Sequence, residues 1–337
     1  MKQKLTCSEL CRKYRNENVH TEYVTALARD IFERTGAHLG LSSDDFSSVV
    51  HETGTARETL RQLMLLQYRI IADARSEILK RHHPKDLHDL RVAIRRLRAA
   101  LRLLRSRGTD RVAARLNNLL ARFCKSLGPT RDAQVWELFL HLPTTGALAP
   151  RTAAWRAYLN LVHRRTARLT TTLTRTMQSD KWLELSMTTK RFLRGSMVRS
   201  SPIGNDALPF ASLADRELKR LCTGLRGLEI DASELTPEEL HSLRRKIRRA
   251  RYWAEFLAPA LPRSSVPTLA EIFRRCAGRL GDAHDMDVYI ARLRRGRIAG
   301  TSRMEEGLLE RRSRAVRKFQ NTWDRRFRAE LLDRITG

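Results

Sequence analysis

The sequence predicts an all-α fold made of two similar helical bundles related by a pseudo-twofold axis. Three observations predict it. Apolar residues recur at three- and four-residue steps through nearly every segment, the period of a helix with one face in a core, and alternating β patterns are missing. Glycine and proline, 16 and 10 in 337 residues, cluster at a few breaks: His83-Pro84, Gly128-Pro129, Pro143 to Pro150, Gly195 to Pro209 and Pro259 to Pro267. A histidine-led cationic run occurs twice, as His88-Asp89-Leu90-Arg91-Val92-Ala93-Ile94-Arg95-Arg96-Leu97-Arg98 and as His241-Ser242-Leu243-Arg244-Arg245-Lys246-Ile247-Arg248-Arg249-Ala250-Arg251. The same offset of 153 residues carries Leu127-Gly128 onto Leu280-Gly281, Asp132 onto Asp285 and Val135 onto Val288. Self-similarity at one fixed spacing marks a duplicated unit.

Three segments follow. Residues 1–56 read as a helical N-terminal extension of different character, residues 57–200 as the first unit and residues 201–337 as the second, with Gly195 to Pro209 as the joint. In the first unit Leu90, Ile94, Leu97, Leu101 and Leu104 form the apolar stripe of a bundle helix. Arg91, Arg95, Arg98, Arg102 and Arg105 recur at the same steps, one position further round, and form a cationic stripe beside it. A second helix is expected over about 110–126, then a Leu127-Gly128 break, then a third helix with Asp132 as its N-cap. A long basic helix containing Arg164 and Arg165 closes the unit.

The second unit repeats this order. Ile247 takes the place of Ile94, and Arg244, Arg248 and Arg251 take those of Arg91, Arg95 and Arg98, while Glu255 replaces Arg102 and shortens the stripe by one charge. Tyr252, Trp253, Phe256 and Leu257 supply apolar mass. A helix over about 265–279, a break at Leu280-Gly281, Asp285 as an N-cap and a basic helix with Arg311 and Arg312 complete the correspondence.

Charge narrows the function. Lys plus Arg number 65 against 37 Asp plus Glu, a formal net charge of +28, and the pI is near 11.1. The 42% hydrophobic content belongs to a folded protein rather than a disordered basic tail. A folded domain with this charge repels itself, which a polyanionic partner offsets. Arginine outnumbers lysine, and its planar fork gives two parallel hydrogen bonds to a phosphate. The five cysteines are scattered and odd in number, as expected in a reducing cytoplasm; Cys7 and Cys11 alone make no zinc site. A secretory signal and a stretch apolar enough for a membrane span are both missing, so a cytoplasmic protein with no membrane partner is expected.

The run at 88–98 with Leu127-Gly128-x-x-Arg131-Asp132, and the second copy with Leu280-Gly281-x-x-His284-Asp285, resemble the CHAD family, the conserved-histidine α-helical domain. The likeness covers about residues 57 to 337. It implies two four-helix bundles around a basic central cavity, binding of inorganic polyphosphate and association with polyphosphate granules. By this resemblance His88, Arg91, Arg95 and Arg98 are polyphosphate contacts of the first unit, and His241, Arg244, Arg248 and Arg251 their mates. Arg96, Arg102, Arg131, Arg249, Arg164, Arg165, Arg311 and Arg312 complete the candidate set, and His284 departs from the arginine at Arg131. A phosphate held at His88 or His241 would favour protonated imidazole, so binding should tighten as pH falls.

Val19-His20-Thr21-Glu22-Tyr23-Val24-Thr25-Ala26-Leu27-Ala28 and Val49-Val50-His51-Glu52-Thr53-Gly54 resemble the start of an HD-type domain of the exopolyphosphatase family, in degenerate form. Glu52 stands where the motif has aspartate and the later ligands are missing, so a docking or packing element is expected.

Polyphosphate carries about one negative charge per phosphorus and no base, sugar or apolar face, so forked donors along a groove suffice to bind it. A nucleic-acid partner is the alternative polyanion. Aromatics are 6% of the chain and do not interleave with the arginine stripe, unlike single-strand sites that stack bases. Glu238, Glu239, Asp282, Asp285 and Asp287 are spaced as caps and charge-balancing pairs rather than as a magnesium site. The expectation is therefore a non-enzymatic binder with no cofactor, metal or catalytic residues, either anchored at granules or acting on polyphosphate-metabolising enzymes.

Overall fold

The computed structural model describes residues 55–105, 111–146, 148–196, 209–226, 230–257 and 265–328. The HD-type resemblance, Cys7, Cys11 and most of the Gly195–Pro209 joint lie outside them. Among the described residues the chain is helical, without strands; one isolated bridge joins Thr55 to Pro209.

Helix α1 (Ala56–Arg81) starts where the Thr55 side chain accepts from Glu58 N, and stops at His82, whose φ of 54° is left-handed and whose N–H returns to Ile78 O. Pro84 then opens α2 (Pro84–Arg105), since proline is tolerated in a first turn. Next come α3 (Arg111–Ser126), α4 (Gly128–Leu140), α5 (Ala153–Gln178, capped by the Thr152 side chain) and α6 (Asp180–Arg191), which runs into a wide π-type turn at Phe192–Ser196. The second half contains α7 (Phe210–Arg226), α8 (Pro237–Leu257), α9 (Ser265–Gly296) and α10 (Ser302–Thr322). A capping box opens α8: Thr236 N donates to Glu239 Oε2 at 2.9 Å, and Glu239 N donates to Thr236 Oγ1 at 3.3 Å.

Two expectations are corrected. The break expected at Leu280-Gly281 does not occur, and α9 runs unbroken through it. The difference is one residue: Pro129 follows Gly128 and has no N–H to continue α3, whereas Asp282 follows Gly281 and continues the helix. Nor do Asp132 and Asp285 cap helices. Leu127 is the N-cap residue of α4 and makes no side-chain cap bond, Asp132 lies a turn further in, and Asp285 sits in the middle of α9.

α1 packs on α2, α8 on α9, α9 on α10 and α4 on α5, and α2 crosses α8. The apolar stripe of α2 is in the core as expected, with Leu90, Ile94, Leu97 and Leu101 fully buried. Each of the two buried clusters draws on both halves. The larger joins Leu60 and Ile94 to Ile247, Phe273 and Trp323. The smaller joins Trp136, Phe139 and Trp155 to Tyr289, Leu293 and Leu308, with the Phe139 and Tyr289 rings stacked at 4.1 Å. The halves thus bury apolar surface against each other, which fixes the crossing of α2 and α8. No helix among the described residues is long and apolar enough to cross a membrane.

Candidate anion-binding site

Burial of Leu90, Ile94 and Leu97 on α2, and of Leu243, Ile247 and Ala250 on α8, leaves the residue one step round each turn at the edge of the core. Those residues are Arg91, Arg95 and Arg98, and Arg244, Arg248 and Arg251, all half-buried. At the crossing Arg95 comes within electrostatic range of both Arg244 and Arg248. Burial, and then the Arg95 charge, depress Arg248 to about 10. Burial also lowers Arg244, an effect that Asp285 opposes and Arg95 reinforces. Guanidinium groups ordinarily hold their proton well above this range, so the depression marks positive charge with too little anion near it.

That shortage is visible in the contacts. Among the described residues Arg95 and Arg248 form no hydrogen bond or ion pair, and Arg95 Nε is buried without a partner. Asp285 stands 4.0 Å from the neighbouring Arg244, and burial raises its own carboxyl pKa.

The remaining candidates are held by the protein to different degrees. Arg91 Nη1 donates to Cys124 O at 2.7 Å, and Arg98 Nε donates to Asn117 Oδ1 at 3.2 Å. The Arg91 guanidinium lies over Gly128 and that of Arg244 over Gly281, where an added Cβ would stand 3.8 and 3.7 Å away. Arg96 and Arg251 both donate to Glu255, each at 2.6 Å, and both flank the Tyr252 ring. Arg131 Nη1 donates to Pro84 O at 3.4 Å, and Arg131 Nη2 lies 3.5 Å from His88 Nδ1. Arg249 is exposed and Arg102 half-buried. Arg164 and Arg165 are exposed on α5, Arg311 lines an apolar cleft with Phe139 and Leu308, and Arg312 Nε donates to Asp287 Oδ1 at 2.6 Å. No hydrogen bond or ion pair among the described residues ties those four to the α2–α8 cluster.

The histidines complete the geometry. Burial, then Arg131 and Arg95, holds His88 below its ordinary pKa. His241 Nδ1 lies 3.4 Å from His284 Nδ1, with ring centroids 4.6 Å apart. Burial and the cations Arg245, Arg244 and Arg248 lower His241. Burial, Arg244, His241 and Arg248 take His284 down to about 4.

Sequence reasoning missed two residues. Glu255, in the repeat a lost charge, engages two arginines. Arg292 Nη1 donates to Asp132 O at 2.8 Å and lies 5.5 Å over the Trp136 ring, and it sits beyond the repeated motifs where no spacing flagged it. Among the described residues no three His, Cys, Asp or Glu side chains gather as a metal site would need. The arrangement can hold an extended anion on forked donors.

A family model described as CHAD domain matches residues 62–272. Among solved structures, the chain is similar to the crystal structure of the CHAD domain from the plant Ricinus communis, at 20% identity and a TM-score of 0.55, covering 83% of this chain and 90% of that one. It is also similar to PptA from Streptomyces chartreusis, at 17% identity and a TM-score of 0.58, covering 80% of this chain and 99% of that one. At these identities the likeness is one of fold. No curated protein matches the chain in sequence.

Proposed function

The chain belongs to the CHAD domain family, and on that premise we propose that it binds inorganic polyphosphate, without chemical change, in a basic groove where α2 meets α8. One observation carries the reading: among the described residues the cations Arg95 and Arg248, within electrostatic range of each other, have no acidic partner. Each phosphate laid between them relieves like-charge repulsion and supplies the acceptors that the guanidinium forks lack. Arg91, Arg131 and His88 extend the groove from one side, and Arg244, His241 and His284 from the other.

The reading includes a duplicated, pseudo-twofold architecture, which suits this ligand. Arg95 and Arg248 are equivalent under the 153-residue offset, and so are Trp136 and Tyr289, whose rings meet at 5.3 Å. These two meetings of equivalent residues support a twofold relation between the halves. A polyphosphate chain has the same groups in both directions, so two like half-sites can hold it equally. The consequence is a protein targeted to polyphosphate granules or acting on polyphosphate-metabolising enzymes.

Competition tests the proposal. Labelled long-chain polyphosphate is displaced by unlabelled polyphosphate, or by single- or double-stranded nucleic acid, compared per phosphate at one salt concentration. Polyphosphate should win by more than about tenfold, or 1.4 kcal/mol. Equal competition would mean a generic cationic surface and would put nucleic acid first. Salt dependence cannot separate them, because both ligands release counterions.

A further inference from the structure

In the second half of the site the partner of the leading histidine is a second imidazole, His284, where the first half has Arg131, and the consequence rests on the polyphosphate reading above. We propose that the site takes up protons as its anion binds, and that His241 and His284 accept them as a pair. Their Nδ1 atoms are 3.4 Å apart. While neutral, one ring can donate its Nδ1 proton to the other, and the pair satisfies itself. Full protonation turns both Nδ1 atoms into donors that face each other, an arrangement that needs an acceptor to bridge them.

The charges around the pair withhold that acceptor in the free protein. Arg244, Arg245 and Arg248 face the pair from α8, and Arg95 of α2 stands next to Arg244 and Arg248. On α9 the acids Asp285 and Asp282 act on Arg244, with Asp285 at 4.0 Å from it. Cations therefore dominate the local field, consistent with His284 lying at about 4. A phosphate seated on Arg244 and Arg248 reverses the field at both rings and accepts from both. In the first half the equivalent of His284 is Arg131, already charged, so that half has only His88 left to protonate.

The sign follows directly. Anion binding raises the imidazole pKa values above those of the free protein, so the complex holds more protons between the free and bound values. Affinity rises as pH falls through the bound pKa and levels off below the free one.

The test uses the full chain and long-chain polyphosphate, whose internal groups stay ionised throughout and whose titrating ends are few. Calorimetry at one pH in two buffers of different ionisation enthalpy counts protons, and Kd is followed from about pH 8 to about pH 5.5. Net uptake is expected, with affinity tightening by up to about tenfold per pH unit for each proton. His284→Arg, which fixes a charge at that position, should flatten the pH profile and cut the uptake, while His88→Gln should leave most of the uptake. If His284→Arg does not fold by circular dichroism, His241→Gln must show the loss. Binding without uptake, or uptake untouched by both substitutions, overturns the proposal and leaves polyphosphate binding standing. No binding at any pH defeats the polyphosphate reading itself.

Discussion

In the first half of the site His88 stands beside Arg131, whose charge is fixed. In the second half the same position of the repeat holds His284, and His241 stands beside a second imidazole. One local contact is shared: Arg91 lies over Gly128 and Arg244 over Gly281. What differs is the partner of the histidine: a fixed cation in one half, a titratable imidazole in the other. The difference teaches that two stretches alike in sequence can set different partners beside equivalent histidines.

The hardest test of the likeness between the halves is charge reversal on the axis. Arg95→Glu places a carboxylate against Arg244 and Arg248, filling from within the vacancy proposed for phosphate. Polyphosphate affinity should fall by at least about a hundredfold, or roughly 2.7 kcal/mol, measured by fluorescence anisotropy. Thermal stability should rise, because a repulsion becomes an ion pair. Arg248→Glu is the equivalent change and should behave the same way in both assays. A gap of more than about tenfold in Kd between the two variants would show that the halves are not equivalent even at the axis.

Much of this half-and-half plan was legible in the sequence, for local reasons. The stripes of α2 and α8 follow from helical period alone, since an apolar residue every three or four positions fixes which neighbours stand at the core edge. The 153-residue offset marks Arg95 and Arg248 as equivalent, but their meeting depends on tertiary packing in the buried cluster that joins Ile94 to Ile247 and Phe273, which no spacing encodes. The Leu-Gly pair repeats at Leu280-Gly281 but Pro129 does not, and only proline removes the N–H that a helix needs, so the repeated glycine does not break α9. Glu255 was beyond reach for another reason. Its partner Arg96 is 159 residues away, on a different helix.

A smaller effect is expected from making the first half resemble the second. Arg131→His removes a fixed charge and sets an imidazole beside His88, as His284 is set beside His241. Affinity at pH 7.5 should weaken by about tenfold, the size of one lost charge-assisted contact of roughly 1.5 kcal/mol. The gap to the parent protein should narrow as pH is lowered, because the new imidazole gains charge as it protonates. A pH-independent loss would mean that Arg131 acts only as a strut, through its bond to Pro84 O.

The mildest change addresses the one acid that breaks the symmetry of the stripes. Glu255 stands at the repeat position of Arg102 and holds Arg96 and Arg251 at 2.6 Å each. Both guanidinium groups are therefore partly neutralised before any ligand arrives, unlike Arg95 and Arg248. Glu255→Gln keeps the shape and one acceptor while releasing that neutralisation. Affinity should improve by about threefold, well under the 1.4 kcal/mol of a tenfold change. Stability should drop by about 1–3 kcal/mol, because two half-buried cations lose their carboxylate. Chemical denaturation and anisotropy on the same sample check the two signs together. A loss of affinity instead would show that Glu255 positions Arg96 and Arg251 for the ligand, and that both belong to the binding set rather than to the scaffold beneath it.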